Sequence, residues 1–101
     1  MDRIERIGAM EALLNASTAA VERFEEALGA YAKAQKDIRR LTAYYGSRTW
    51  YADRAADEKG RLPDDLPRGV LSEDLIYDVI TNNRENALQM LEQAADILRN
   101  L

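Results

Sequence analysis

At 101 residues, with 47% hydrophobic and 32% charged side chains, the chain has the size and composition of one folded domain, predicted to span residues 1–101. It contains no cysteine and no histidine, which excludes disulfides, thiolate and Ser-His nucleophiles, and zinc sites built on those ligands. Its net charge of −4 disfavours nucleic-acid binding, and no run of about 20 apolar residues is available to span a membrane, so we expect a cytoplasmic protein.

The first predicted element is a single long helix over residues 3–45. Asp2 followed by Glu5 is typical of a helix N-terminus, and Gly46 is placed to end the helix in a left-handed conformation. Between them, apolar residues recur at alternating spacings of three and four, which predicts a helix with one buried face. This face consists mainly of Ile7, Met10, Leu14, Val21, Phe24, Leu28, Tyr31 and Ile38.

A short second helix is predicted over residues 48–58, followed by a loop over residues 60–71. Ser47 is a suitable N-cap because its hydroxyl can accept a hydrogen bond from the first turn. Gly60 and Pro63 are expected to end the helix and begin the loop.

A C-terminal helical arm is predicted over residues 73–100. Ser72 is a suitable N-cap, and Leu71 is expected to pack against Ile76 across the first turn. The arm is expected to be interrupted near residues 81–83, because Thr-Asn-Asn is a poor helix interior. Its last part places apolar residues on one stripe, which consists of Ala87, Leu91, Ala94, Leu98 and Leu101.

These elements predict an all-α fold, since no segment alternates polar and apolar residues for long enough to form a strand. We expect the long N-terminal helix to pack in an antiparallel bundle with two to three shorter helices. An arm of 28 residues (73–100) cannot cover a helix of 43 residues (3–45), so part of the first stripe needs a second copy to cover it. We therefore predict a homodimer. A bend near Asn15–Thr18 that folded the N-terminal part back would instead allow a monomer.

Residues 44–78, called the connector below, differ in composition from the helices around them. They contain four of the five tyrosines, the single tryptophan, both prolines and eight of the eighteen acids. Because aromatic residues dominate protein interfaces, we predict that the connector contains an interaction surface for a protein partner. The alternative is that the same aromatics close the end of the bundle and hydrogen-bond the loop. The candidate residues are Tyr44, Tyr45, Trp50, Tyr51 and Tyr77.

Two pairs of acids in the connector suggest a second function. In each pair the acids are four residues apart and therefore share a helix face. Facing carboxylate pairs could hold Mg²⁺ or Mn²⁺, which gives the alternative of a divalent-metal-dependent phosphoester or nucleotide hydrolase with Glu58 or Glu73 as base. The competing interpretation is that these acids are solvated or paired with arginines, and no cofactor is then expected. The metal-ligand candidates are Asp53, Asp57, Asp74 and Asp78.

The connector also carries short motifs of a known family, among them Tyr-Tyr-Gly-Ser at 44–47 and Arg-Gly-Val-Leu-Ser-Glu-Asp at 68–74. With these motifs the chain resembles a small bacterial family known as domain of unknown function 4298. The resemblance implies a short, helical, cytosolic protein and transfers no catalytic residue. We therefore expect a non-enzymatic interaction protein, with the hydrolase as the alternative.

Overall fold

The computed structural model describes residues 2–101 of the chain. All of the regular structure in this range is helical, so the predicted all-α class and the long N-terminal helix are confirmed. The elements in chain order are α1 (Arg3–Tyr44), α2 (Arg48–Glu58), a 3-10 turn (Gly69–Leu71) and α3 (Glu73–Arg99).

The chain divides into two compact units, Met1–Lys36 and Asp37–Leu101, and the division falls inside α1. The first unit consists of the N-terminal part of this helix. Asp2 Oδ1 accepts a hydrogen bond from the backbone N–H of Glu5 at 2.7 Å. This bond satisfies one of the N–H groups that the start of a helix leaves without a partner, as the sequence predicts.

α1 is unbroken through Asn15–Thr18, where a bend was the alternative. The Thr18 hydroxyl donates a hydrogen bond to the carbonyl oxygen of Leu14 at 2.8 Å, so this side chain is satisfied without ending the helix. No residue of α1 is buried. The apolar face that the spacing predicts to be buried is therefore at the surface of the described chain.

Two glycines set the helix ends of the second unit. Gly46 follows α1 with φ +76°, and Gly60 follows α2 with φ +68°, a backbone conformation that only glycine adopts without strain. After α2, the N–H of Gly60 bonds to the carbonyl of Asp57 at 3.0 Å and the N–H of Arg61 bonds to that of Ala56 at 2.9 Å. These two hydrogen bonds form a Schellman motif, which satisfies the last carbonyl groups of the helix.

α3 is one continuous helix, and the interruption expected near residues 81–83 is absent. Thr and Asn lower helix propensity by less than ~1 kcal/mol per residue, which neighbouring turns readily offset. Ser72 occupies the N-cap position with extended backbone, but its side chain makes no capping hydrogen bond. The first turn of α3 is supported instead by the acids Glu73 and Asp74, which favour the positive end of the helix dipole.

The second unit contains a small apolar core. Trp50 from α2 and Ile76 from α3 are only 2% and 3% exposed, and Leu71 of the 3-10 turn lies between them in sequence and is also buried. Both α2 and α3 contact the 3-10 turn. Gly69 permits this close approach, because a Cβ there would lie 3.1 Å from the Leu75 side chain. The 3-10 turn thus joins α2 to α3, and the antiparallel bundle stays a prediction.

Candidate functional site

Trp50 is the residue around which the connector folds. Its backbone N–H donates to the Ser47 hydroxyl at 3.2 Å, which is the N-cap that the sequence predicts for α2. Its indole Nε1 donates to the carbonyl oxygen of Val70 at 3.1 Å. The ring also meets Tyr45 and Tyr51 edge-on, with centroid distances of 5.0 and 5.1 Å. Such T-shaped pairs are favourable because a ring edge is positive and a ring face negative.

Arg54 lies over the Trp50 ring and links two helices. Its guanidinium carbon lies 4.8 Å from the centre of the Trp50 ring, within the range of a cation–π contact. Arg54 Nη1 also donates to Glu73 Oε1 at 2.9 Å, which joins α2 to the start of α3. This role of Arg54 is not among the predictions from the sequence. The spacing of four between Trp50 and Arg54 on one helix was the available signal.

Arg68 holds the loop between α2 and the 3-10 turn. Its guanidinium donates to the carboxylate of Asp57, to the carbonyl oxygen of Pro63 and, at 3.2 Å, to that of Leu66. One half-buried side chain therefore satisfies two loop carbonyls and one carboxylate. The loop is fixed to α2 through these contacts.

Tyr44, at the end of α1, is bonded to α2. Its hydroxyl donates to Asp53 Oδ2 at 2.5 Å. This hydrogen bond raises the pKa of Tyr44 from its ordinary 10.0 to about 12, and burial and the charge of Asp53 act in the same direction. The neutral hydroxyl is stabilised because it is the form that can donate.

The five aromatic candidates occupy three different environments. Trp50 belongs to the core and, at 2% exposed, offers almost no surface to a partner. Tyr44 and Tyr45 are half-buried. Tyr51 and Tyr77 are 59% and 58% exposed, so these two remain available for contact.

The four metal-ligand candidates do not form a cluster. Asp53 and Asp57 are half-buried and accept hydrogen bonds from Tyr44 and Arg68. Asp74 and Asp78 are exposed on α3. Within residues 2–101, no three acids lie close enough together to hold a metal ion. The position of a carboxylate on its own helix was predictable, but the approach of two helices was not.

Neither proposed base of the hydrolase belongs to a metal-binding cluster of the described residues. Glu73 is engaged by Arg54, and Glu58 is exposed at the end of α2. A shallow depression lies on the last turns of α1, lined by Asp37, Arg40, Leu41 and Tyr44. It contains none of the predicted carboxylates.

No described helix is both long and apolar enough to cross a membrane. No curated protein and no solved structure matches the chain. One family model, described as a domain of unknown function (DUF4298), matches residues 7–93 and so covers both units. The chain therefore belongs to the DUF4298 family.

Proposed function

We propose that the chain is a non-enzymatic interaction protein that forms a homodimer through its two long helices and offers the connector to a protein partner. The proposal places it in the bacterial cytoplasm, to which the family resemblance and the composition point. The antiparallel helix bundle expected from the sequence then forms in the dimer.

The size of the core carries this proposal. Within residues 2–101, the buried apolar side chains are Trp50, Leu71 and Ile76. A core this small needs support from disulfides, a metal or association with another chain. The chain has no cysteine, and its described residues include no group of three or more acids placed to hold a metal. Association with another chain is the remaining source of support.

The apolar side chains of α1 supply a surface for this association. If each exposes on the order of 100 Å², eight of them expose roughly 800 Å², which is about one partner's share of a standard interface. A surface of this size rarely stays uncovered on a soluble monomer. The set, called the α1 stripe below, is Ile4, Ile7, Met10, Leu13, Leu14, Val21, Phe24 and Leu28.

The connector has features that support the second part of the proposal, which is that it binds a protein partner. Tyr51 and Tyr77 are exposed beside the two ends of the Arg54–Glu73 ion pair, three and four residues away along their helices. Tyrosine brings a large contact area with little rotamer entropy to lose. Residues 53–78 carry eight acids and four bases, a net charge of −4, so the partner surface is expected to be basic.

Sedimentation equilibrium between 1 and 100 µM tests the dimer directly. We expect the mass of two copies for the wild type, and a clean monomer over this range would overturn the proposal. The variant Leu14→Lys/Val21→Lys places two charges on the α1 stripe and should raise the dimer Kd by at least ~100-fold. Asn15→Lys/Ala16→Lys adds the same charge to another face of α1 and should leave the Kd within about threefold.

A second experiment tests the partner surface. A protein captured by the wild type is purified and titrated against the wild type and against Tyr51→Ser/Tyr77→Ser. We expect the variant to bind at least ~10-fold more weakly while remaining dimeric. Equal affinity for both would show that the partner binds elsewhere.

Calorimetric titration with Mn²⁺ tests the absence of metal chemistry. We expect neither binding heat nor a shift in melting temperature, because Asp53 and Asp57 are already engaged by Tyr44 and Arg68. Binding that raised the melting temperature and was lost in Asp53→Asn would favour the hydrolase instead.

A further inference from the structure

The C-terminal part of α3 has a wider apolar face than one neighbouring helix can cover. From residue 87 to residue 98, the heptad columns a, d, e and g are all apolar and the other three columns are all polar. The polar columns hold Gln89, Glu92, Gln93 and Asp96. At about 100° per residue, the four apolar columns span an arc of roughly 160°. A two-stranded seam uses only the a and d columns, and a helix that faces one core adds only e or g.

This face is exposed in the described chain. Leu91 and Leu98, in column a, are 69% and 70% exposed. Leu88 in column e, together with Met90 and Ile97 in column g, is also exposed, so both flanks of the face are open. Three alanines fill the remaining positions and let a neighbouring helix approach closely. The pattern is that of a helix that contacts two others.

We propose that in the homodimer this part of α3 packs against two helices of the second copy at once, its α3 and its α1. This inference rests on the proposed self-association and specifies its geometry. At on the order of 100 Å² for each of the five large side chains, the face of α3 offers roughly 500 Å², less than one partner's share of a standard interface. Adding the α1 stripe brings the total to roughly 1,300 Å², within the range of a stable dimer.

The second copy suits this face better than a foreign protein does. A chain that buries three apolar side chains among its described residues needs its exposed apolar face covered whenever it is folded. A second copy is always present where the chain is made. The charged residues Glu92 and Asp96 lie in the polar columns, so two copies meet without burying like charges. Two-fold symmetry then closes the assembly at four long helices.

A lysine scan over the columns of α3 tests the geometry. Single variants place lysine in column a (Leu91→Lys), e (Leu88→Lys) and g (Ile97→Lys), and the controls Gln89→Lys and Gln93→Lys place it in polar columns. Dimer Kd is measured by sedimentation equilibrium, and Trp50 emission reports whether the connector stays folded. We expect each apolar-column variant to raise the Kd by at least ~100-fold and each control by less than about threefold. If dissociation also unfolds the chain, the same ranking appears in the concentration dependence of melting.

Two results would overturn the inference, and only one of them would also overturn the proposed self-association. If Leu91→Lys disrupts the dimer but Leu88→Lys and Ile97→Lys do not, α3 forms a two-stranded seam; the proposed self-association then survives. A monomeric wild type would overturn both the proposed self-association and the proposed packing of α3.

Photo-crosslinking identifies the helices in contact. A photoreactive phenylalanine at Leu98, in a mixture of ¹⁴N and ¹⁵N copies, should give crosslinks between copies to both α1 and α3. Crosslinks to α3 alone, or only within one copy, would contradict the four-helix arrangement.

Discussion

The indole nitrogen of Trp50 donates a hydrogen bond to the backbone carbonyl of Val70 at 3.1 Å, across 20 residues of sequence. The same residue is the largest fully buried side chain of the described structure. The bond ties α2 to the 3-10 turn, and the turn in turn contacts α3. One residue therefore supplies both the packing and the alignment of the connector.

Replacing Trp50 should separate these two contributions. Trp50→Phe keeps most of the ring but leaves the Val70 carbonyl without its donor, which we expect to cost about 1–3 kcal/mol in the free energy of unfolding. Trp50→Ala also leaves a cavity and should cost about 3–5 kcal/mol. Urea denaturation followed by circular dichroism measures both. Tyr51→Phe removes an exposed hydroxyl and serves as the control, expected within ~0.5 kcal/mol of the wild type.

The hydrogen bond from Tyr44 to Asp53 predicts a loss of stability at alkaline pH. The pKa of Tyr44 is raised in the folded state to about 12 from an ordinary 10.0. The contribution of this bond is therefore fully present below pH 10 and is lost as the pH rises through 12. Urea denaturation at pH 9, 10.5 and 11.5 should show a decline that Tyr44→Phe reduces and Tyr77→Phe does not. An equal decline in Tyr44→Phe would contradict the assignment.

Arg54 should matter more than its ion-pair partner. Glu73→Gln removes the ion pair and one first-turn charge of α3, two salt-sensitive surface effects expected to cost about 0.5–1 kcal/mol together. Arg54→Ala removes that pair and also the cover over the Trp50 ring, so we expect a loss of about 1–2 kcal/mol. Denaturation at 0.05 and 0.5 M NaCl distinguishes the two, since salt weakens the ion pair and leaves the ring contact. Equal losses for both variants would assign the effect to the ion pair alone.

Two glycine substitutions should shift stability in opposite directions. Gly46→Ala places a Cβ on a residue with φ +76°, which should destabilise by about 1 kcal/mol. Gly29 lies inside α1, and no atom lies within 4 Å of the position that a Cβ would take there, so Gly29→Ala should stabilise by about 0.5–1 kcal/mol. Thermal melting by circular dichroism at fixed protein concentration measures both. A stabilising Gly46→Ala would contradict the role of this glycine as a helix end.

The ends of α1 and α2 follow from signals that lie within a few residues of them. Asp2 and Ser47 each accept a hydrogen bond from a backbone N–H three residues away, and Gly46 and Gly60 act through their own φ angles. Such local interactions can be predicted from the sequence. The continuity of α3 at residues 81–83 is different, because a small propensity cost there is offset by the turns on both sides.

The contents of the candidate site depend on how helices approach one another, which spacing along one helix does not determine. Equal spacings within the pairs Asp53–Asp57 and Asp74–Asp78 suggested a shared site, yet the first pair is engaged by Tyr44 and Arg68 and the second is exposed. Composition singled out the connector, and the three buried side chains of residues 2–101 lie within it. Composition did not separate Trp50, which is core, from Tyr51, which is surface.

The three contacts of Arg68 have a consequence for proteolysis. A trypsin-like protease recognises its cleavage site by taking a basic side chain into an acidic pocket. The Arg68 guanidinium is already occupied by Asp57 and two loop carbonyls, whereas Arg61 is exposed. Cleavage after Arg68 requires these contacts to break, whereas the side chain of Arg61 is already accessible. We therefore expect the cut after Arg61 to come first as long as the connector is folded.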